Sequence, residues 1–159
     1  MKIKHILINL AVAITFPAMA MAQSSKDIGL ICLNPYISET EGLGKKATSM
    51  LTTKLQQIAT ANGMSGAGFD NRFIITAHVQ KLNSSQTQTF PQKNAVQLNI
   101  GIYVGDGLDG TLYSSYSYEA KGIGDSEDQA IANAVRKANP NQEDLQRAIL
   151  KCKEQILKY

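Results

Sequence analysis

Val96-Gln97-Leu98-Asn99-Ile100-Gly101-Ile102-Tyr103-Val104 is the clearest secondary-structure signal in this sequence. Every second residue is apolar, and the residues between them are polar, small or tyrosine. Successive side chains of a strand point to opposite faces of the sheet, so this alternation predicts one face packed on a core and one face open to water. The segment therefore indicates a strand in a sheet that is covered on one side only.

The neighbouring segments predict further strands joined by hairpins. Residues 73–80 alternate in the same way, and the polar residues 83–94 that follow are expected to form a long hairpin loop. Residues 105–110 contain only two acids, each followed by glycine, which favours a tight turn over a calcium loop. Residues 112–120, rich in serine and tyrosine, are predicted to form the last strand.

A buried strand and a long helix are predicted ahead of these strands. Residues 28–33 form a continuous apolar run that ends at Asn34-Pro35. Such a run is typical of a strand buried on both faces, so we expect it at the centre of the sheet. Ser38 and Glu41 have the spacing of a capping box, and apolar residues then recur at helical steps through residues 42–62.

Two shorter helices are predicted at the end of the chain. Ser126 and Gln129 form a second capping box, and a stripe of small residues follows them until Pro140 breaks the helix. Residues 145–156 carry the apolar stripe of a last helix.

The order of these elements is strand, helix, three strands, helix, helix. A helix between the first two strands favours a parallel crossover, whereas hairpins join the later strands, so the sheet should be mixed. We therefore predict an α+β fold, a two-layer α/β sandwich with a mixed four-stranded sheet and all helices on one face. Residues 23–159 are expected to form a single globular domain.

Residues 1–22 have the layout of a cleaved signal peptide. Lys2 and Lys4 precede an uncharged apolar run, and small residues follow at Ala18, Ala20 and Ala22. Two cleavage sites compete, after Ala20 and after Ala22, and we favour the second. The apolar run is shorter than the roughly 20 residues of a membrane-spanning helix, so we expect an exported periplasmic protein without stable membrane insertion.

The charge balance of the mature chain argues against nucleic acid as a partner. The sequence has 16 Lys and Arg and 13 Asp and Glu. Removing Lys2 and Lys4 with the signal peptide leaves 14 basic against 13 acidic residues, a net charge of +1. Strong binding to nucleic acid or an anionic membrane needs clustered positive charge.

Cys32 and Cys152 are the two cysteines of the chain. The oxidising periplasm permits a disulfide between them. Both also lie in apolar patterns, where two buried free thiols would pack as small hydrophobic side chains. The sequence leaves these alternatives open.

No catalytic or metal-binding set emerges from the sequence. His78 is the single histidine after the signal peptide, and it alternates outward on its predicted strand. Catalytic triads and most zinc sites need a histidine with specific companions. We therefore expect a protein that is not an enzyme and holds no cofactor or metal.

The polar face of the predicted sheet is the candidate binding surface. Tyr, Asn and Ser side chains favour protein contacts because they combine apolar area with hydrogen bonds. An ordinary solvated face is the alternative reading. The residues predicted for this face are Thr76, His78, Gln80, Gln97, Asn99, Tyr103, Tyr113, Ser115 and Ser117.

The order of the elements resembles that of known envelope domains. An apolar strand ending at Asn34-Pro35 is followed by a long helix, an alternating strand beginning at Arg72, and Gly122-Ile123-Gly124-Asp125-Ser126 before an alanine-rich helix. This order is similar to the periplasmic domain of the curli-transport lipoproteins and to the amino-terminal domain of TolB. The resemblance implies an assembly or docking role without catalytic residues. The chain lacks a lipidation motif and a membrane-inserting hairpin, so an adaptor is expected rather than a channel.

The expected function is that of a non-catalytic adaptor domain that docks onto a cell-envelope assembly or secretion complex. An envelope protein is the expected partner, and self-association through sheet edges is possible. The alternative is a small-ligand-binding or enzymatic protein with a pocket near His78.

Overall fold

The computed structural model describes residues 31–68, 72–137, 139 and 141–158. The signal peptide predicted for residues 1–22 lies outside these residues, as do residues 23–30. A 3-10 turn at Glu39–Glu41 precedes the first α-helix. The elements are β1 (Asn34–Tyr36), α1 (Lys45–Ala61), β2 (Phe73–Gln86), β3 (Asn94–Asp106), β4 (Leu112–Gly124), α2 (Glu127–Arg136) and α3 (Glu143–Ile156).

The four strands form one mixed sheet in the order β1-β2-β3-β4. β1 runs parallel to β2, and the other neighbours are antiparallel. The apolar side of the sheet packs with residues of all three helices in one hydrophobic core. The prediction of an α+β fold, with a mixed sheet and its helices in a second layer, is therefore confirmed.

β3 anchors this core in the way its alternation predicts. Leu98 and Ile100 are fully buried, and Ile102 and Val104 are almost so. Complete burial of such a side chain stabilises the fold by roughly 1.5–3 kcal/mol relative to exposure. The alternate residues of β3 point away from the helices, which leaves a second face of the sheet for other contacts.

Two glycines allow α2 to lie directly on the backbone of β4. A Cβ atom at Gly122 would collide with the carbonyl oxygen of Ala130 and lie 2.6 Å from the amide nitrogen of Ala134. A Cβ atom at Gly124 would lie 2.6 Å from the amide nitrogen of Ala130. The small-residue stripe of α2 thus packs against strand backbone rather than against side chains.

The two predicted capping boxes have different outcomes. Ser126 caps α2 as predicted, because its hydroxyl accepts the N–H of Gln129 at 3.2 Å. The box at Ser38 and Glu41 was predicted wrongly, since α1 begins after Gly44, which has no side chain to cap it. A carboxylate oxygen of Asp128 in α2 accepts the N–H of Ala47 at 3.3 Å instead. A negative charge at the amino terminus of α1 also interacts favourably with the helix dipole.

The first strand lies elsewhere than predicted. It spans Asn34–Tyr36 at the edge of the sheet, not residues 28–33 at its centre. Within the described residues, Ile31 and Leu33 are buried. Both form backbone hydrogen bonds with Ser65, in the segment after α1. Residues 31–33 therefore pair with that segment and not with a strand of the sheet. An edge also suits Pro35, which has no N–H for a second strand.

The hairpin between β2 and β3 is longer and its loop shorter than predicted. β2 continues to Gln86, and its last four residues pair with the first residues of β3 across a register shift between Lys81 and Asn83. The loop is closed by the N–H of Thr87, which donates to the carbonyl of Lys93 at 2.8 Å. Polar composition predicted a loop here, but backbone pairing needs no apolar side chains.

Candidate functional site: the outer sheet face

The strand registers assemble most of the predicted polar face. Thr76 and His78 of β2 lie opposite Tyr103 and Gly101 of β3, and Gln80 lies opposite Asn99. Because paired residues point to the same side of a sheet, these residues share one face. The same face continues onto β4 through Ser115, Ser117, Glu119 and Lys121, which lie opposite Tyr103, Gly101, Asn99 and Gln97. We call this surface the outer face.

Tyr103 lies at the centre of the outer face over a glycine. A Cβ atom built on Gly101 would lie 2.7 Å from the Tyr103 hydroxyl and 2.9 Å from its ring carbon Cε2. The phenol group therefore extends along β3 and covers the backbone at Gly101. Any larger residue at position 101 would displace it. Gly101 thus sets the direction of the largest side chain on this face.

The outer face is open to solvent in the described part of the chain. Thr76, Gln97, Asn99 and Tyr103 are half-buried, whereas His78, Ser115 and Ser117 are exposed. The residues of α1, α2 and α3 that are buried belong to the core on the opposite side of the sheet. No helix of the described residues therefore covers this face, and a cavity of about 220 Å³ lies toward one end of it, lined among others by Asn83, Gln97 and Lys121.

Sequence reasoning missed the part of this face that lies beyond Ala120. The predicted strand ended there, but β4 runs to Gly124, so Lys121 and Ile123 also point outward, next to Glu119 within the predicted strand. Glu119 accepts a hydrogen bond from the side chain of Gln97 at 2.9 Å, which fixes both groups on the surface. The continued alternation of residues 119–124 was the signal that would have extended the strand.

Tyr113 does not belong to the outer face, and its prediction there was wrong. The pairing of β3 with β4 shifts register between Val104 and Gly105, so Tyr113 has no Cα partner in β3. Its ring instead packs against the core beside Phe73, with the ring centroids 6.0 Å apart. An irregularity of this kind breaks the period of two on which the prediction relied.

His78 is held at the margin of the outer face by Glu41. One carboxylate oxygen of Glu41 lies 2.9 Å from Nδ1 of His78, and the other accepts the N–H of Val79 at 2.9 Å. The His78 side chain is 63% exposed, but that of Glu41 is only 11% exposed. This histidine therefore sits on an open surface with one ring nitrogen already paired.

A cavity of about 390 Å³ adjoins Glu41 on the inner side of the sheet. Its lining combines apolar and charged residues from the chain before α1 and from β2, β3 and α2. His78 is not among its lining residues, which are Glu41, Gly42, Leu43, Gly44, Val79, Lys81, Leu98, Glu127, Asp128 and Ile131.

Both cysteines are free thiols, so the possible disulfide is not formed. The Sγ atom of Cys32 lies 3.6 Å from Oδ1 of Asn34, near the edge of the sheet. Cys152 is completely buried in the core on α3, and this burial raises the pKa of its thiol to about 12. A thiol held protonated in this way is a poor nucleophile.

Within residues 31–68, 72–137, 139 and 141–158, no three His, Cys, Asp or Glu residues are placed to hold a metal ion. No helix in the described part of the chain has the length and hydropathy to cross a membrane.

Comparison with known proteins identifies shared folds rather than a family. No family model and no curated protein matches the sequence. A DUF330-family protein from Xanthomonas campestris matches with a TM-score of 0.50 and 9% identity, covering 80% of this chain and 88% of that one. A minor lipoprotein from Acinetobacter baumannii covers 80% and 94%, with a TM-score of 0.43 and 14% identity. At 9% identity, the match to the Xanthomonas protein shows a common fold alone. The resemblance to curli-transport lipoproteins and TolB stays a prediction.

Proposed function

We propose that this chain is a non-catalytic, exported adaptor of the cell envelope that docks onto a protein partner through its outer face. The observation that carries this proposal is the open surface of β2, β3 and β4 around Tyr103, which no helix of the described residues covers. Tyr103 lies across Gly101 at the centre of this surface and gives it a large amphipathic group.

The chemistry of this face favours a protein as the partner. Tyr103 offers a large amphipathic surface with little side-chain entropy to lose, and Asn99 and Gln97 offer both donors and acceptors. The serines of β4 add small hydrogen-bonding groups around the tyrosine. The near-neutral charge of the mature chain and the mixed charges of Glu119 and Lys121 do not favour nucleic acid.

The proposed location is the periplasm, on the strength of the amino-terminal sequence. A basic start, an apolar run and small residues up to Ala22 are what export requires.

The test is a partner capture with matched variants. The full coding sequence, tagged after its last residue, is expressed in its own host, gently crosslinked and analysed by mass spectrometry. We expect a defined envelope protein whose recovery falls at least tenfold with Tyr103→Ala and clearly with Asn99→Ala, as for residues at the centre of an interface. Gln57→Ala, on the exposed side of α1, is the control and should leave recovery unchanged.

The outcomes separate the candidate functions. Unchanged recovery with both outer-face variants would place the interface elsewhere and refute the proposed surface. The alternative, a ligand-binding or enzymatic role near His78, predicts a pocket that His78 lines. The open position of His78 and its pairing with Glu41 do not favour that role.

A further inference from the structure

β4 is an edge strand, and the backbone pattern identifies the residues that face its free side. Val79 of β2 directs its N–H toward Glu41, away from β3. Because hydrogen-bonding direction alternates along antiparallel strands, the odd-numbered residues of β4 then point away from β3. The carbonyl of Ile123 agrees with this assignment, since it accepts a hydrogen bond from the Asn133 side chain at 2.8 Å rather than from β3.

The free side of β4 is accessible from Ser117 to Lys121, since the Asn133 side chain lies at the carbonyl of Ile123 beyond that stretch. Near its start, the Ser114 hydroxyl donates to the carbonyl of Ala148 at 2.9 Å, so α3 lies beside that part of the strand. Farther along, Ser117, Glu119 and Lys121 are exposed, and in the described chain no strand follows β4 in the sheet. An exposed edge of this length is a template for another strand.

The charges on this edge are complementary to those on the same edge of a second copy related by a two-fold axis. Glu119 and Lys121 are two residues apart and point to the same face. When two copies of the strand pair antiparallel about an axis at Ala120, Glu119 of each copy lies opposite Lys121 of the other. The same register brings outward-pointing odd residues together, as antiparallel hydrogen bonding requires. It places Ser117 opposite Ile123, whose carbonyl oxygen has a second lone pair besides the one that the Asn133 side chain uses. Oppositely charged cross-strand pairs stabilise such a contact.

We infer that the occupant of this edge is a second copy of the chain, paired through residues 117–123 of β4 with its two-fold axis at Ala120. The dimer has one continuous eight-stranded sheet, and its outer faces join across the axis. This inference does not rest on the proposed adaptor function, because it uses the edge of the sheet and not a partner on its face.

The first test uses the exported protein, purified after its natural processing. Light scattering measures its molecular mass across a range of concentrations. We expect a dimer for the natural sequence and a monomer for Ser117→Pro, because proline removes an outward N–H without disturbing β3. Ser115→Pro is the matched control, since residue 115 also points outward but lies outside the paired stretch. Circular dichroism checks that both variants fold. A monomer at all concentrations overturns the inference, as does a dimer that both prolines leave intact.

Charge exchange tests the register independently of folding. Glu119→Lys and Lys121→Glu each create like charges opposite one another. The dissociation constant of each variant dimer should therefore rise roughly tenfold or more. Mixing the two variants restores opposite charges in a mixed dimer, and the double variant restores them within itself. Recovery in both cases supports the register, and failure of the mixture to associate rules it out. If a monomeric edge variant still captures the envelope partner, docking through the outer face does not require the dimer.

Discussion

The carboxylate of Glu41 completes the sheet edge beside His78. It lies 2.9 Å from Nδ1 of His78 and also accepts the Val79 N–H. β1 pairs with β2 only as far as Tyr36 and Thr76. Beyond that point, a side chain takes the position that the backbone of a longer β1 would occupy. A residue predicted to cap α1 therefore serves the sheet instead.

Removing this carboxylate should loosen the edge of β2. We expect Glu41→Ala to lower the free energy of unfolding by about 1–3 kcal/mol, because a buried amide loses its charged acceptor. Urea denaturation measures the loss, and hydrogen exchange should show faster exchange of the Val79 amide. Glu39→Ala, an exposed change in the same turn, is the control. Equal exchange of Val79 in both variants would contradict the role assigned to Glu41.

Gly122 should tolerate no side chain. Gly122→Ala places a methyl group against the backbone of α2, so either the helix moves away or the strand bends. We expect a loss of at least about 1–3 kcal/mol in the free energy of unfolding, as for other overpacked sites. Gln57→Ala, on the exposed side of α1, should change stability by less than about 0.5 kcal/mol. Similar urea midpoints for the two variants would show that α2 does not pack this closely.

Stability in acid should depend on Asp106. The Nε atom of Arg72 donates to Asp106 Oδ2 at 2.8 Å, and this hydrogen bond is the main reason that the pKa of the carboxyl lies below its usual 3.8. A depressed folded-state pKa stabilises the protein above the unfolded-state pKa, and the contribution disappears as pH falls through the folded-state pKa. Unfolding midpoints between pH 2 and pH 6 should therefore fall more steeply toward acid in the natural sequence than in Asp106→Asn. Glu143→Gln, exposed at the start of α3, should keep the natural slope.

Cys32 and Cys152 should differ in how fast a thiol reagent labels them, and neither should need a reductant first. Cys32 is partly exposed, whereas Cys152 is buried with its thiol pKa raised to about 12. A thiol reagent at pH 8 should therefore label Cys32 in the folded protein and Cys152 only after unfolding, because the thiolate is the reacting form. Cys32→Ser identifies the fast site. Failure to label either cysteine in denaturant without reductant would show that a disulfide exists.

Local sequence patterns predicted those elements whose stability arises within a few residues. The alternation around Ile100 identified β3, since the period of two directly reflects which side chains meet the core. Ser126 identified the start of α2 because its capping partner is three residues away. The outward positions of Thr76, His78, Asn99 and Tyr103 followed from the same alternation.

The failed predictions involve partners that are distant in sequence. Glu41 matched a capping pattern, but its hydrogen bonds go to β2. Tyr113 matched an alternating strand, but a register shift turned it onto the core beside Phe73. The choice between a local partner and a distant one depends on the assembled sheet, because each group takes the best partner available in the folded chain.

The sequence by itself therefore determined the order of the elements, the apolar side of the sheet and most residues of the outer face. Each of these depends on periodicity, which is a property of neighbouring residues. The tertiary structure alone decided that β1 lies at an edge, that Asp128 caps α1, and that β4 extends to Gly124 with Glu119 and Lys121 beside its free side. These features depend on register and on contacts between remote segments, for which a local pattern carries no signal.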